Sequence, residues 1–121
     1  TVAELRDLEA KVQAAMELRG PRYLHVFVPC PLGWGSASKD TIRLARLAKE
    51  TGLFPVFEAR DGAVTAVSKI RRRLPVEDYL RPQRRFAHLF GDPGRPDVVA
   101  RIQAGADRTI ARFGLVEEDA A

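Results

Sequence analysis

Cysteine is nearly absent from the sequence and asparagine is wholly absent, since Cys30 is the single thiol among 121 residues. One thiol cannot form an internal disulfide, and we expect a cytoplasmic protein because disulfides mark oxidising compartments. No apolar run approaches the roughly 18 to 20 residues of a membrane-spanning helix. The first residues are charged and periodic, unlike a signal peptide. The sequence therefore predicts no membrane partner.

An excess of one charge is also missing, because the formal net charge is only +4, while hydrophobic residues make up 45% of the chain. This balance suits a folded domain. The basic residues cluster at Arg71–Arg73 and again at Arg81, Arg84 and Arg85. Such clusters attract nucleic acid, an acidic protein or water, and we favour solvent or a subunit contact over nucleic acid. A small basic α/β binding module is the alternative from another functional class, although the chain lacks the aromatic sheet motif of RNA-binding domains.

The first quarter of the chain has the pattern of a helix followed by a buried strand. Thr1 and Glu4 have the spacing of a capping box, and apolar residues recur at helical spacing as far as Met16. Gly20 is expected to end this helix. The run Arg22–Val28 is rich in β-branched and aromatic residues and, after its first residues, is apolar on both faces. This composition is typical of a strand inside a parallel sheet.

Local start and stop signals organise the rest of the chain. Prolines and acids stand where helices would begin, glycines stand where they would end, and Asp61-Gly62 is a hairpin turn signal. We expect an irregular loop over residues 29–38, followed by a helix that is capped by Ser36 or Ser38 and ends at Gly52. The hairpin arms are expected over 53–59 and 63–68. Further helices are expected to begin at Pro75 and at Pro96, with a short segment between them that ends near Phe90. The apolar face of the first of these helices is predicted to be Ile42, Leu44, Ala45, Leu47 and Ala48. Pro55 restricts the first hairpin arm to an edge position, and the acidic tail over 116–121 is expected to fray.

The loop around Cys30 carries the most specific chemistry. It follows the carboxyl end of the predicted strand, and ligands bind beyond that end in open α/β sheets. The flanking Pro29 and Pro31 stiffen the backbone, although a lone cysteine is more often a small buried hydrophobic residue than a metal ligand. If Cys30 does bind a cluster, the following amides can point at the cluster sulfurs and the indole can shield them from water. These candidate contacts are Leu32, Gly33, Trp34 and Gly35.

Three segments of the chain carry a resemblance to a known family. They are GPRYLHVFVPCPLGWG from Gly20, LAKETGLFPVFE from Leu47 and LPVEDYLRPQRRFAHLF from Leu74. In this order and spacing they resemble the thiamine-diphosphate-binding beta subunit of the 2-oxoacid:ferredoxin oxidoreductases, and the pyruvate enzyme in particular. The resemblance covers most of residues 20 to 90. Leu32 departs from it, because threonine is usual there in the family.

The resemblance implies a fold and a role for Cys30. The chain is expected to be the C-terminal part of a thiamine-diphosphate-binding fold, an α/β parallel sheet flanked by helices, with a small antiparallel hairpin and C-terminal helices. It would form one unit over 1–121, with the α/β part over 1–70 and a helical extension over 71–121. Cys30 corresponds to the fourth cysteine ligand of a [4Fe–4S] cluster whose other three ligands lie outside this chain. No residue of the chain is expected to be catalytic.

In this family thiamine diphosphate with Mg²⁺ carries the oxidative decarboxylation of a 2-oxoacid, coenzyme A takes the acyl group, and electrons pass through clusters to ferredoxin (EC 1.2.7.-). The chain lacks the Gly-Asp-Gly and the asparagine of the family's diphosphate–Mg²⁺ motif. We therefore expect that site in the remainder of the beta subunit or in another subunit of the oxidoreductase, and we expect the isolated chain to be inactive.

Several alternatives stay open within the resemblance. The substrate can be phenylglyoxylate, 2-oxoisovalerate, indolepyruvate or oxalate in place of pyruvate, and the chain can be a separately encoded subunit. The clusters Arg71–Arg73 and Arg84–Arg85 can attract an acidic ferredoxin, although salt bridges to sister subunits are favoured. His25 is expected to be a core or interface histidine, and Glu77 and Asp78 are expected to be acids of a first helical turn and not an acid–base pair.

Overall fold

The described residues, 1–117 of a computed structural model, form helices and one small hairpin. The regular elements are α1 (Leu5–Glu17), α2 (Pro31–Trp34), α3 (Thr41–Glu50), β1 (Phe57–Arg60), β2 (Ala63–Val67), α4 (Val76–Leu80) and α5 (Pro96–Phe113). Two 3₁₀ segments, Ser38–Asp40 and Arg84–Leu89, precede α3 and α5 respectively. No helix in this part of the chain is long and apolar enough to cross a membrane. The fold is therefore a mixed α/β arrangement with helices and a small antiparallel sheet.

The hairpin forms where the turn signal predicts it. Strands β1 and β2 pair antiparallel, with a register irregularity between Glu58 and Ala59. Asp61 and Gly62 have φ values of 52° and 82°. Positive φ at both central residues is the geometry of a two-residue type I′ turn, and aspartate followed by glycine tolerates it well. Pro55 precedes β1, so it takes no place in the ladder.

Helices α3, α4 and α5 enclose the main core. Its buried residues are Leu44, Leu47, Ala48, Val76, Tyr79, Leu80, Leu89, Val99 and Ala106. The backbone amide of Val76, at the start of α4, donates to the Gln103 Oε1 of α5 at 2.9 Å, which satisfies one orphan donor of a short helix. The predicted apolar face of α3 is confirmed except for Ile42, which is 46% exposed. The predicted openings of α4 after Pro75 and of α5 at Pro96 are also confirmed.

Gly52 joins α3 to the α5 helix by a close backbone approach. Its φ is +76°, and a Cβ atom placed there would lie 2.5 Å from Ile110 Cγ1 and 3.2 Å from the Ala106 carbonyl oxygen. Gly62 is the matched control, because its φ is +82° but no atom lies within 4 Å of the same position.

We expect Gly52→Ala to lower the free energy of unfolding by about 2 kcal/mol, because overpacking adds to the cost of a left-handed backbone. Gly62→Ala carries the backbone cost alone, about 1 kcal/mol. Urea denaturation of the two variants measures the difference. Equal losses at the two positions would show that Ile110 moves aside at no cost.

The predicted strand over Arg22–Val28 is not formed within the described residues. The segment is mostly exposed, including 87% of Tyr23 and 55% of Val28. A buried strand needs neighbouring strands that bond to its backbone along both edges. In the described residues this segment instead accepts a backbone hydrogen bond from the Val2 amide, which lies 3.2 Å from the Phe27 oxygen. Residues 1–117 taken alone therefore do not form the expected parallel sheet, and the strand pairing that they contain is antiparallel.

Two smaller expectations near the N-terminus are also wrong. The Thr1–Glu4 capping box is absent, because α1 begins at Leu5 and no side chain caps it. The Glu4 carboxylate instead accepts from Lys49 Nζ at 2.5 Å, and the same ammonium donates to Ser68 Oγ at 2.7 Å. The Glu4 carboxylate, which the capping box would require, is thus bonded to Lys49 of α3 instead. Most of the expected fraying of the C-terminal tail falls on residues 118–121, outside the described part.

Candidate functional site

Cys30 lies at the start of a single helical turn, where the sequence predicted irregular structure. It is the N-cap residue of α2, Pro31 occupies the first helical position, and Gly35 ends the turn in the left-handed region with φ 64°. Proline at the first position and glycine just after the last one fit a helix of any length. The Cys30 thiol is free and its residue is exposed, while the preceding Pro29 is buried. The expectation of an irregular loop is therefore wrong for residues 31–34.

The four amides predicted to face a cluster divide into two pairs. The Trp34 amide donates to the Cys30 carbonyl oxygen at 3.0 Å, and the Gly35 amide donates to the Pro31 oxygen. These two amides are used by the helical turn, so the prediction that they are free is wrong. Leu32 and Gly33 belong to the first turn, where amides have no intrahelical acceptor. Their N–H groups are therefore available beside Cys30.

Gly33 leaves open space next to the Cys30 sulfur. A Cβ atom at Gly33 would lie 3.6 Å from Sγ, which is ordinary contact distance for an atom that glycine does not have. Leu32, the residue that departs from the family pattern, is 96% exposed and packs on nothing in the described chain. The sulfur is thus approachable from the side of α2 on which the two free amides begin the turn.

Trp34 packs toward the interior at the end of the α2 turn. Its ring centroid lies 5.8 Å from that of Phe27, which in turn lies 4.7 Å from the Phe54 ring. On the indole face, the guanidinium carbon of Arg85 lies 3.9 Å from the ring centroid. The indole therefore connects the Cys30 turn to two other parts of the chain.

A polar network around Arg85 supports this turn and was missed from the sequence. Arg85 Nε donates to Gln83 Oε1 at 2.9 Å, and its Nη2 donates to the Tyr79 hydroxyl at 3.2 Å. Gln83 is fully buried and its amide nitrogen donates to the Tyr79 carbonyl oxygen. Burial raises the pKa of Tyr79, while the neighbouring Arg85 acts in the opposite direction. No local pattern relates Arg85 to Trp34, because the two residues are far apart in sequence.

Half of the clustered arginines, Arg73, Arg81 and Arg85, have partners within the described chain. Arg73 pairs with Asp107 at 2.6 Å, and Arg81 pairs with Glu77 at 2.8 Å. Because Arg85 contacts Trp34 and Tyr79, its guanidinium is not simply a free charge for a docking partner. Glu77 and Asp78 do lie in the first turn of α4, as predicted.

His25 is exposed and does not occupy a core position. Its ring meets that of Phe54 edge-on, with centroids 5.4 Å apart. The expected core position for His25 required the strand that these residues do not form. The alternative prediction, that His25 lies at an interface, stays a prediction.

Within residues 1–117 there is no group of three or more histidine, cysteine or acidic side chains that could hold a metal ion. A cluster bound by four thiolates would need its three other ligands from outside these residues. Cys30 and the two free amides can supply one ligand and part of its hydrogen-bonding environment.

No protein-family model matches the chain. It is 46% identical over 110 residues to the pyruvate synthase subunit PorB of Methanosarcina barkeri, covering 91% of this chain and 37% of that subunit. It is 34% identical to the PorB subunit of Thermotoga maritima, covering 98% of this chain and 36% of that subunit. It is also 34% identical to the ketoisovalerate oxidoreductase subunit VorB of Pyrococcus abyssi, covering 74% of this chain and 29% of that subunit. The chain thus spans about a third of the length of these relatives.

Proposed function

We propose that this chain, which is a PorB-like beta-subunit sequence over nine-tenths of its length, forms part of an enzyme that oxidatively decarboxylates a 2-oxoacid to an acyl-CoA and passes electrons to ferredoxin. The observation that carries the proposal is the similarity across both PorB and VorB relatives. In this proposal the isolated chain is inactive, and the complete assembly works in the cytoplasm.

Cys30 is proposed to be one ligand of a [4Fe–4S] cluster. Three features of the turn fit this group: the thiol is exposed, the Gly33 side leaves space beside Sγ, and the amides of Leu32 and Gly33 belong to a first helical turn, where they have no intrahelical acceptor. When bound, such a cluster accepts and donates single electrons, and hydrogen bonds to its sulfurs tune its potential. Cys30 would hold one iron, while the α2 turn fixes the direction of the thiolate. The Trp34 indole would keep water away from one side.

The remaining part of the beta subunit is proposed to cover the segment 22–28. This segment is apolar on both faces and mostly exposed, with backbone groups that have few partners in the described chain. In a longer subunit the same residues would become an interior strand of the thiamine-diphosphate-binding sheet. The exposed ring of Tyr23 and the exposed side chain of Leu32 support such a cover. Thiamine diphosphate and Mg²⁺ would be bound mainly by that covering part, and coenzyme A would be the co-substrate.

Pyruvate is the first candidate substrate, because the M. barkeri and T. maritima relatives are named pyruvate synthase subunits. 2-Oxoisovalerate is the second candidate, because the P. abyssi relative is named a ketoisovalerate oxidoreductase subunit. 2-Oxoisovalerate has two more methyl groups than pyruvate, so a pocket that discriminates between the two acids must detect that difference in size. Differences of this kind change kcat/KM by roughly ten- to two-hundredfold per methylene in known enzymes.

The test is the anaerobic reduction of ferredoxin by the native assembly that contains this chain, with coenzyme A and each 2-oxoacid in turn. We expect 2-oxoacid-dependent reduction, with kcat/KM for pyruvate above that for 2-oxoisovalerate by at least about tenfold. The reverse order would replace pyruvate by the branched substrate within the same reaction. An assembly that contains its cofactors and reduces ferredoxin with none of the family's 2-oxoacids would contradict the proposal.

A further inference from the structure

Two contacts join the Cys30 turn to the 3₁₀ segment Arg84–Leu89. The first is a backbone contact: the Arg84 amide donates to the Gly35 oxygen at 3.2 Å, and a Cβ at Gly35 would lie 2.7 Å from Arg84 Cβ. The second is the guanidinium of Arg85, placed 3.9 Å from the centroid of the Trp34 ring. Trp34 and Gly35 end the turn that Cys30 begins, so both contacts hold the end of that turn.

The Arg85 guanidinium is itself held from two sides. Its Nε and Nη2 donate to Gln83 and Tyr79, and the fully buried Gln83 is anchored to the Tyr79 backbone. A planar guanidinium can donate along its edge while its face rests on an aromatic ring, which an ammonium group cannot do in the same geometry. The series of contacts from α4 through the residue 85 side chain to Trp34 is therefore continuous, and it requires an arginine at position 85.

We propose that Arg85 is a positioning residue for the Cys30 ligand, acting through Trp34 to hold the α2 turn in place. This inference rests on the proposed function for the cluster, but its geometric part concerns the thiol alone. Arg85 would not touch the iron. It would limit the motion of the turn, so that the Cys30 sulfur keeps its direction when the other ligands are in place.

The matched pair of variants is Arg85→Lys and Arg81→Lys. Both keep the positive charge and both remove a guanidinium that lies over an aromatic ring, since Arg81 Cζ lies 4.2 Å from the Phe90 centroid and the side chain bonds Glu77. Within the described residues, the partners of the Arg81 guanidinium are Glu77 and Phe90, and neither belongs to the Cys30 turn. Tyr79→Phe is a third variant, which deletes only the hydroxyl that Arg85 bonds and keeps the packing of the core.

In the native assembly, purified anaerobically, we expect Arg85→Lys to speed the loss of cluster iron to a chelator roughly three- to tenfold. The electron paramagnetic resonance line shape of that cluster should change as well, a signature that loss of stability alone would not move. Arg81→Lys should match the wild type in both, and Tyr79→Phe should shift in the same direction as Arg85→Lys. Identical rates and line shapes for Arg85→Lys and Arg81→Lys would overturn the proposal.

A second readout separates this proposal from the assignment of the cluster. In the cluster-free assembly, the rate of Cys30 alkylation by iodoacetamide should rise in Arg85→Lys and Tyr79→Phe and stay unchanged in Arg81→Lys. If Cys30 proves not to bind a cluster, faster alkylation in these variants still supports the positioning of the thiol by Arg85. Equal alkylation rates in all variants overturn that positioning, whatever is found for the cluster.

Discussion

Replacing Leu44 by alanine is expected to lower the free energy of unfolding by about 3 to 4 kcal/mol. Leu44 is on the core face of α3 and its exposure is 0%. It belongs to the cluster in which α3 meets Val76 and Leu80 of α4, so truncation removes buried methyl groups and leaves a cavity among rigid neighbours. A loss of this size is a large fraction of the roughly 5 to 15 kcal/mol by which a native protein is stable.

Ile42 provides the control on the same helix. It has the same number of carbon atoms as Leu44 but is 46% exposed, so Ile42→Ala removes less buried surface. We expect a loss of about 1 kcal/mol at this position. Urea denaturation followed by circular dichroism measures both variants, and an unchanged slope would show that the unfolded state is unaffected. Equal losses at the two positions would mean that the core is not built on the face of α3 that Leu44 occupies.

The elements that the sequence predicted correctly are those with local causes. Asp61-Gly62 specifies a hairpin turn because only a few residue types accept positive φ at both positions. Pro96 and Gly114 bracket α5 for similar reasons, since proline suits a first turn and glycine suits a left-handed cap. In each case the deciding interaction lies within a few residues along the chain.

The errors have causes that lie elsewhere in space. The run Arg22–Val28 has the composition of a buried strand, yet a strand exists only when other strands pair with it, and the described residues provide none. Glu4 had a capping position available and paired instead with Lys49. Periodicity and spacing along the chain do not report such competing partners.

In the candidate site, too, some features could be predicted from the sequence, whereas those that depend on contacts between distant segments could not. The position of Cys30 between Pro29 and Pro31 was evident from the sequence, but the hydrogen-bond state of the Trp34 and Gly35 amides depended on an unexpected helical turn. The contact of Arg85 with Trp34 joins distant segments through the fold. A cluster of arginines therefore suggested a docking surface, whereas one of them, Arg85, packs on the Trp34 ring of the candidate site.

Cys30→Ala has the largest functional effect that the proposed role predicts. A four-thiolate cluster that loses one ligand is lost or converted, because no other thiol exists in the chain to replace it. Electron transfer to ferredoxin should then collapse, while the packing of α3, α4 and α5 should be unaffected, since Cys30 is exposed and outside the core. Ser36→Ala is the matched control, because it deletes one heavy atom from the same loop without removing a thiol.

The measurement that tests this most directly is anaerobic iron and sulfide analysis, with electron paramagnetic resonance, of the native assembly in its wild-type, Cys30→Ala and Ser36→Ala forms. We predict that Cys30→Ala selectively loses or converts one [4Fe–4S] signal and loses 2-oxoacid-dependent ferredoxin reduction, while Ser36→Ala keeps both. Unchanged iron content, spectrum and activity in Cys30→Ala would contradict the assignment and leave Cys30 as an ordinary exposed thiol.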